Sequence, residues 1–196
     1  MLHDRERAAI AALWTVKIRQ DARDLPQAQR CRNLEPDSAE FICALAAGCG
    51  ATSILEIGGS SGISTIALAA AARRNDGRLV SIEIEPTRQA ESRRTLADLG
   101  LADRVDYVLG DAGDVLDRYA GLQFVLIDCE KDDYIRFFDR LQLARGAVVV
   151  ADNIVSHDLW DYVRHVRARP GVESVTLPVG KGLEVSRMGG GRRKGS

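Results

Sequence analysis

Five short apolar runs punctuate the chain at residues 53–57, 79–83, 105–109, 124–128 and 147–151. Each is too short for a core helix, and most are rich in Val, Ile or Leu, as strands covered on both faces require. Between them lie amphipathic stretches that predict helices over about 63–74, 87–99, 114–119, 133–143 and 158–167. Strand and helix in alternation is the pattern of βα units building a parallel sheet. Two further helices are expected ahead of the first strand, over 8–20 and 38–47, joined by a proline-bearing loop at 21–36. Near the C-terminus, 172–179 and 183–186 flank Gly180-Lys181-Gly182, which reads as a hairpin with a glycine-bearing turn. The expected fold is therefore α/β: a Rossmann-like doubly wound sheet, mostly parallel, with a C-terminal antiparallel hairpin and helices on both faces. One domain spans 1–188, with 1–36 forming its N-terminal helix and loop. Residues 189–196, rich in glycine and carrying Arg192, Arg193 and Lys194, are expected to be a disordered tail.

Composition narrows the class without changing the fold. At 196 residues, 45% hydrophobic and 28% charged, the chain resembles an ordinary globular domain. A formal net charge of −1 argues against a general nucleic-acid binder. Cys31, Cys43, Cys49 and Cys129 form no Cys-x-x-Cys pair, so they read as reduced and mostly buried thiols. The charged start, His3 to Arg7, is followed by no long apolar run; neither a signal peptide nor a membrane span is expected, and the expected location is the cytoplasm.

The densest chemical signal is Glu56-Ile57-Gly58-Gly59-Ser60-Ser61-Gly62-Ile63-Ser64, placed between a strand and a helix. Glycines there allow a tight turn and close approach to a ligand, which in open α/β sheets sits beyond the carboxyl ends of the strands. Ser64 is positioned to hydrogen-bond a ligand carboxylate near the helix N-terminus. Glu83, ending the second strand, can accept both ribose hydroxyls of a nucleoside. After the third strand, Asp111 and the Ala112 amide are candidate adenine contacts, while Asp111 is equally suited to cap a helix. NAD is the weaker of two nucleoside cofactors for this loop. None of Tyr107, Tyr119, Tyr134 or Tyr162 has a lysine four residues on, and Ser64 stands where a third glycine would be expected. Glu56 suits S-adenosylmethionine better, because an acid attracts its sulfonium and ammonium and would repel a pyrophosphate.

The fourth and fifth strands end in Asp128-Cys129-Glu130-Lys131-Asp132-Asp133-Tyr134 and Ala151-Asp152-Asn153. Neighbouring strands would deliver Asp128, Asp152 and Asn153 to one sheet edge, an oxygen set suited to Mg²⁺ or a similar hard cation such as Mn²⁺ or Ca²⁺. A pair of loop-capping acids is the alternative.

Together, Glu56 to Ser64, Glu83, Asp128 to Tyr134 and Asp152-Asn153 resemble the cation-dependent O-methyltransferases, the class I S-adenosylmethionine-dependent group containing catechol and caffeoyl-CoA O-methyltransferases. The resemblance runs from about residue 33 to 187, and Asp-x-x-Lys-x-x-Tyr followed by Ala-Asp-Asn is its most specific part. It implies that Asp128, Asp152 and Asn153 hold a divalent metal and that Lys131 is the general base. It also implies that Glu56, Gly58, Ser60, Ser64, Glu83, Ala112 and Asp128 line the cofactor, that Asn33 and Leu34 stand at the pocket mouth, and that Glu184 meets a substrate hydroxyl. A homodimer is likewise an implication of the resemblance. Cys129 and Glu130 replace bulky ring residues of the catechol enzyme, so the substrate is not carried over beyond a catechol-like hydroxyl compound. Two rivals remain from other classes: an enzyme methylating a hydroxylated tRNA base, and a cofactor-binding protein without catalysis. His157, close behind Asn153, reads as a loop residue that can approach the site.

Overall fold

The computed structural model describes residues 2–23, 26 and 30–189. The expected tail at 189–196 therefore lies, beyond Gly189, outside the described residues, as does part of the 21–36 loop. Seven strands form one sheet: β1 Ser53–Ile57, β2 Arg78–Glu83, β3 Val105–Leu109, β4 Ala120–Ile127, β5 Gln142–Ala151, β6 Val172–Leu177 and β7 Leu183–Met188. Their order is β3-β2-β1-β4-β5-β7-β6. β1 to β5 run parallel, whereas β7 is antiparallel to both β5 and β6. The helices are α1 Asp4–Ala22, α2 Pro36–Gly48, α3 Ile63–Arg74, α4 Pro86–Asp98, α5 Ala112–Val115, α6 Tyr134–Arg140 and α7 Trp160–Arg167. This is the doubly wound, Rossmann-like architecture expected, hairpin included.

Alternation along the strands assigns the two faces. Ile54, Leu79, Phe124, Leu126 and Val150 meet α1 to α4, while Leu55, Ile57, Ile82, Val125 and Val149 meet α5 to α7. Each fully buried side chain of this size stabilises the fold by roughly 1.5–3 kcal/mol. α1 docks through Ile10 and Leu13, and its Glu6 accepts from Arg73 of α3 at 2.7 Å. Toward its end this helix leaves the core, and Ile18 is 51% exposed.

Two elements differ from expectation. The helix expected over 133–143 stops at Arg140, because Gln142 and Leu143 pair with Ala120 and Leu122 and extend β5 backwards. The helix expected over 114–119 is the single turn of α5 followed by a 3-10 turn at Leu116–Arg118. Asp111, capping with its carboxylate on the Gly113 amide at 2.6 Å, starts it earlier. No helix among the described residues is long and apolar enough to cross a membrane.

Candidate active site

The strand order reverses direction between β1 and β4, which opens a crevice beyond their carboxyl ends. There the backbone of the glycine loop is held against β4. A Cβ on Gly58, at φ +93°, would stand 1.9 Å from the Asp128 carbonyl oxygen, so only glycine fits. Ser60 adopts φ +46°, a left-handed conformation unusual for a residue with a side chain. Its amide donates to Glu83 Oε2 at 2.7 Å, and the Glu85 amide donates to Glu83 Oε1 at 2.8 Å. Glu83 is thus aimed across the crevice by two backbone bonds, and each oxygen retains a lone pair.

Gly58, Ser60, Glu83, Asp111, Ala112 and Asp128 all border a cavity of about 150 Å³, walled on its apolar sides by Ile84 and Phe137. Glu56 and Ser64 do not border it; they are buried beneath the loop. Glu56 is wholly inaccessible. Its Oε2 accepts from Ser81 at 2.6 Å and from Thr65 at 2.7 Å, whereas Oε1 has no partner. Burial pushes its acid upward, opposed by the hydroxyls of Ser64, Ser81 and Thr65. Asp111, as the alternative reading anticipated, caps α5 while also facing the cavity.

Beside this lies a second cavity of about 340 Å³, and Asp128 borders both. Asp128 follows β4, and Asp152 and Asn153 follow its neighbour β5, so all three border this cavity. Asn153 Nδ2 donates to Asp128 Oδ1 at 2.7 Å, from a left-handed backbone at φ +63°. Asp152 is buried, and its Oδ1 has no hydrogen-bond partner. Burial, with nearby Glu35 adding to it, pushes the Asp152 acid up to about 7. Burial and the facing Asp152 charge hold Asp128 well above the ordinary carboxylate range. Two acids and an amide, one acid oxygen unsatisfied, make a set that a dication would complete. Among the described residues no cluster of three or more His, Cys, Asp or Glu stands in metal-holding arrangement.

Other expected residues fall at different distances from this centre. Asn33 borders the second cavity, with Nδ2 donating to Ser61 Oγ at 2.8 Å and Oδ1 unpartnered; Leu34 is buried in the core. Lys131 is exposed on the 3-10 turn Lys131–Asp133. It borders an adjoining cavity of about 230 Å³ that also includes Asn153 and His157. Glu184 is not brought to the site. It is fully buried on the α7 face of the sheet, accepting from Arg167 at 2.9 and 3.1 Å and from Thr176 and Ser174. All its hydrogen-bonding capacity toward a substrate is taken by that network.

Sequence reasoning missed Arg32, which joins Glu130 across the crevice, and Lys181, which joins Glu35 at 2.9 Å. The signal for Lys181 was present in the hairpin. Antiparallel pairing sets Ala151 opposite Glu184, so the turn entering β7 must lie beside the residues leaving β5.

A family described as Protein of unknown function (DUF1442) matches residues 11–196. The chain belongs to this family. A catechol O-methyltransferase of Mycobacterium tuberculosis is 37% identical over 148 residues, covering 74% of this chain and 65% of the relative. The chain thus spans slightly under two thirds of that relative's length. Caffeoyl-CoA O-methyltransferase 1 of Eucalyptus globulus is 27% identical over 179 residues, covering 77% of this chain and 72% of the relative. The O-methyltransferase TomG from Streptomyces achromogenes, solved in complex with SAM, superposes with TM-score 0.78 at 27% identity, covering 91% of this chain and 90% of that one. This member of the DUF1442 family therefore shares sequence and fold with the catechol and caffeoyl-CoA O-methyltransferases.

Proposed function

We propose that this chain is an S-adenosylmethionine-dependent O-methyltransferase acting, with a divalent cation, on a hydroxyl of a small catechol-like molecule. The observation that carries the reading is the open oxygen set of Asp128, Asp152 and Asn153 beside a nucleoside-sized crevice ending in Glu83. Relatives with the same fold, one of them solved with SAM, support the cofactor.

Each residue group has a defined task. Glu83 would take the ribose hydroxyls on its remaining lone pairs, and Ala112 would meet the adenine. Glu56, with a partnerless oxygen under the loop, would offer that oxygen as an acceptor to the methionine ammonium. A divalent cation held by Asp128, Asp152 and Asn153 favours the ionised form of an acceptor hydroxyl, which a phenol with pKa near about 10 otherwise rarely adopts at neutral pH. Lys131, in its neutral amine form, would take the hydroxyl proton onto Nζ, and its solvent-open turn would give that proton a route to bulk water. S-adenosylmethionine would supply the methyl group, a carbon–oxygen bond to the acceptor forming as the carbon–sulfur bond breaks, to leave an ether and a neutral thioether. Holding oxygen and methyl in line supplies the entropic part of the acceleration, on the order of several kcal/mol.

The test is methyl transfer from labelled cofactor to catechol with chelator-treated protein. EDTA should abolish turnover and Mg²⁺ or Mn²⁺ should restore it; turnover that resists chelation rejects the metal role. Screening hydroxylated tRNA in the same assay addresses the main rival.

A further inference from the structure

Four cations, Lys17, Arg30, Arg32 and Lys181, border the larger cavity. Lys17 of α1 and Arg30 share a single carboxylate, Asp21, at 2.5 and 3.8 Å. Lys181 and Arg32 also border the cavity and each engages one glutamate.

Lys181 is the best placed of the four. It occupies the centre of the Gly180-Lys181-Gly182 turn, and that turn is clamped. The Val155 amide donates to the Lys181 carbonyl at 3.1 Å and the Ile154 amide to that of Gly182 at 3.0 Å. A Cβ on Gly182 would meet Val155 at 2.5 Å, and one on Gly180 would meet Ser38 Oγ at 2.3 Å. The turn is thus wedged between the loop carrying Asp152-Asn153 and the segment leading into α2. Its ammonium has three donors, and Glu35 takes one. Burial draws the Lys181 pKa down, but Glu35, with Asp152 and Asp128 adding to it, outweighs burial and raises it. Opposite, Asn33 is 4% exposed and its Oδ1 has no partner. The cavity therefore offers one unfilled buried acceptor and one partly filled charged donor.

We infer that the acceptor molecule carries a carboxylate as well as the reacting hydroxyl, and that Lys181 is the residue that selects it. This rests on the O-methyltransferase reading, with Lys181 binding the acid and Asn33 Oδ1 accepting from a second hydroxyl.

The test compares a dihydroxybenzoate with the corresponding neutral dihydroxybenzyl alcohol, using the full chain with Mg²⁺ and S-adenosylmethionine. The unaltered protein should prefer the acid in kcat/KM. Lys181→Met, and Lys181→Gln as a second variant, should lower kcat/KM for the acid by roughly ten- to a hundredfold, mainly through KM. They should leave the neutral congener and cofactor binding unchanged, and Lys181→Arg should recover part of the preference. Equal losses on both acceptors, or no loss on either, would overturn the assignment. Failure of the unaltered protein to methylate either compound is a separate result, seen without any variant, and removes the parent reading together with this one.

Discussion

Two carboxylates flank the seam between β5 and β7, and both are withdrawn from water. Glu184 lies opposite Ala151 in the antiparallel register, and Asp152 is the next residue along the chain from Ala151. Their treatment differs completely. Around Glu184 the fold has collected Arg167, Ser174 and Thr176, so that both oxygens are occupied and a permanent cation balances the charge. Around Asp152 an oxygen is left without a partner, a second acid stands nearby, and the adjacent Asn153 is held in a left-handed conformation. A buried polar group without a partner costs about 1–3 kcal/mol, so a fold retains one only where something else completes it. The satisfied acid holds the hairpin to α7. The unsatisfied one is where the proposed cation would bind.

The largest expected effect lies on the open side. Asp152→Ala should lower methyl transfer by more than about a hundredfold, because a direct donor matters at least as much as the outer-shell partners of metal sites. Its thermal stability near neutral pH should be equal to or higher than that of the unaltered chain, since an uncompensated buried acid is removed. Equal loss of stability and activity would erase the contrast.

On the closed side the order reverses. Glu184→Gln should destabilise the protein by about 2–4 kcal/mol in denaturant unfolding, the partial exposure of Arg167 keeping it near the low end of buried-pair values. Protein that remains folded should keep its kcat. A selective loss of activity would return Glu184 to the substrate role that the sequence suggested.

A smaller and pH-dependent effect sharpens the comparison. Folding raises the acids of Asp152, to about 7, and of Asp128, so the folded chain holds protons that the unfolded chain releases. The stability linked to them is fully present below the ordinary carboxylate pKa of about 4 and is lost as pH rises through about 7. Melting temperature without a divalent cation should fall across that window. Added Mg²⁺ should recover it above the window and do little below. The smallest change is Asn153→Gly, which relieves a left-handed backbone worth on the order of 1 kcal/mol while deleting a donor. It should raise stability slightly and weaken cation affinity.

Much of this site is legible in the sequence because it depends on strand ends. A short run of Ser53 to Ile57 followed by glycines announces both β1 and its loop, and Glu83, Asp128 and Asp152 follow from where neighbouring strands stop. Features set by contacts between distant segments are not legible in this way. The partners that satisfy Glu184 come from α7 and β6, and the one that holds Lys181 comes from the segment before α2. Likewise the early start of β5 reflects pairing of Gln142 with Ala120, which local helix pattern through Arg140 conceals.

The most direct measurement is calorimetric titration of Mn²⁺ into the protein saturated with S-adenosylmethionine, repeated for Asp152→Asn and Glu184→Gln. Saturable binding of one ion per chain, lost in Asp152→Asn and retained in folded Glu184→Gln, is the predicted result. Absence of binding, or binding that Asp152→Asn leaves intact, contradicts the account.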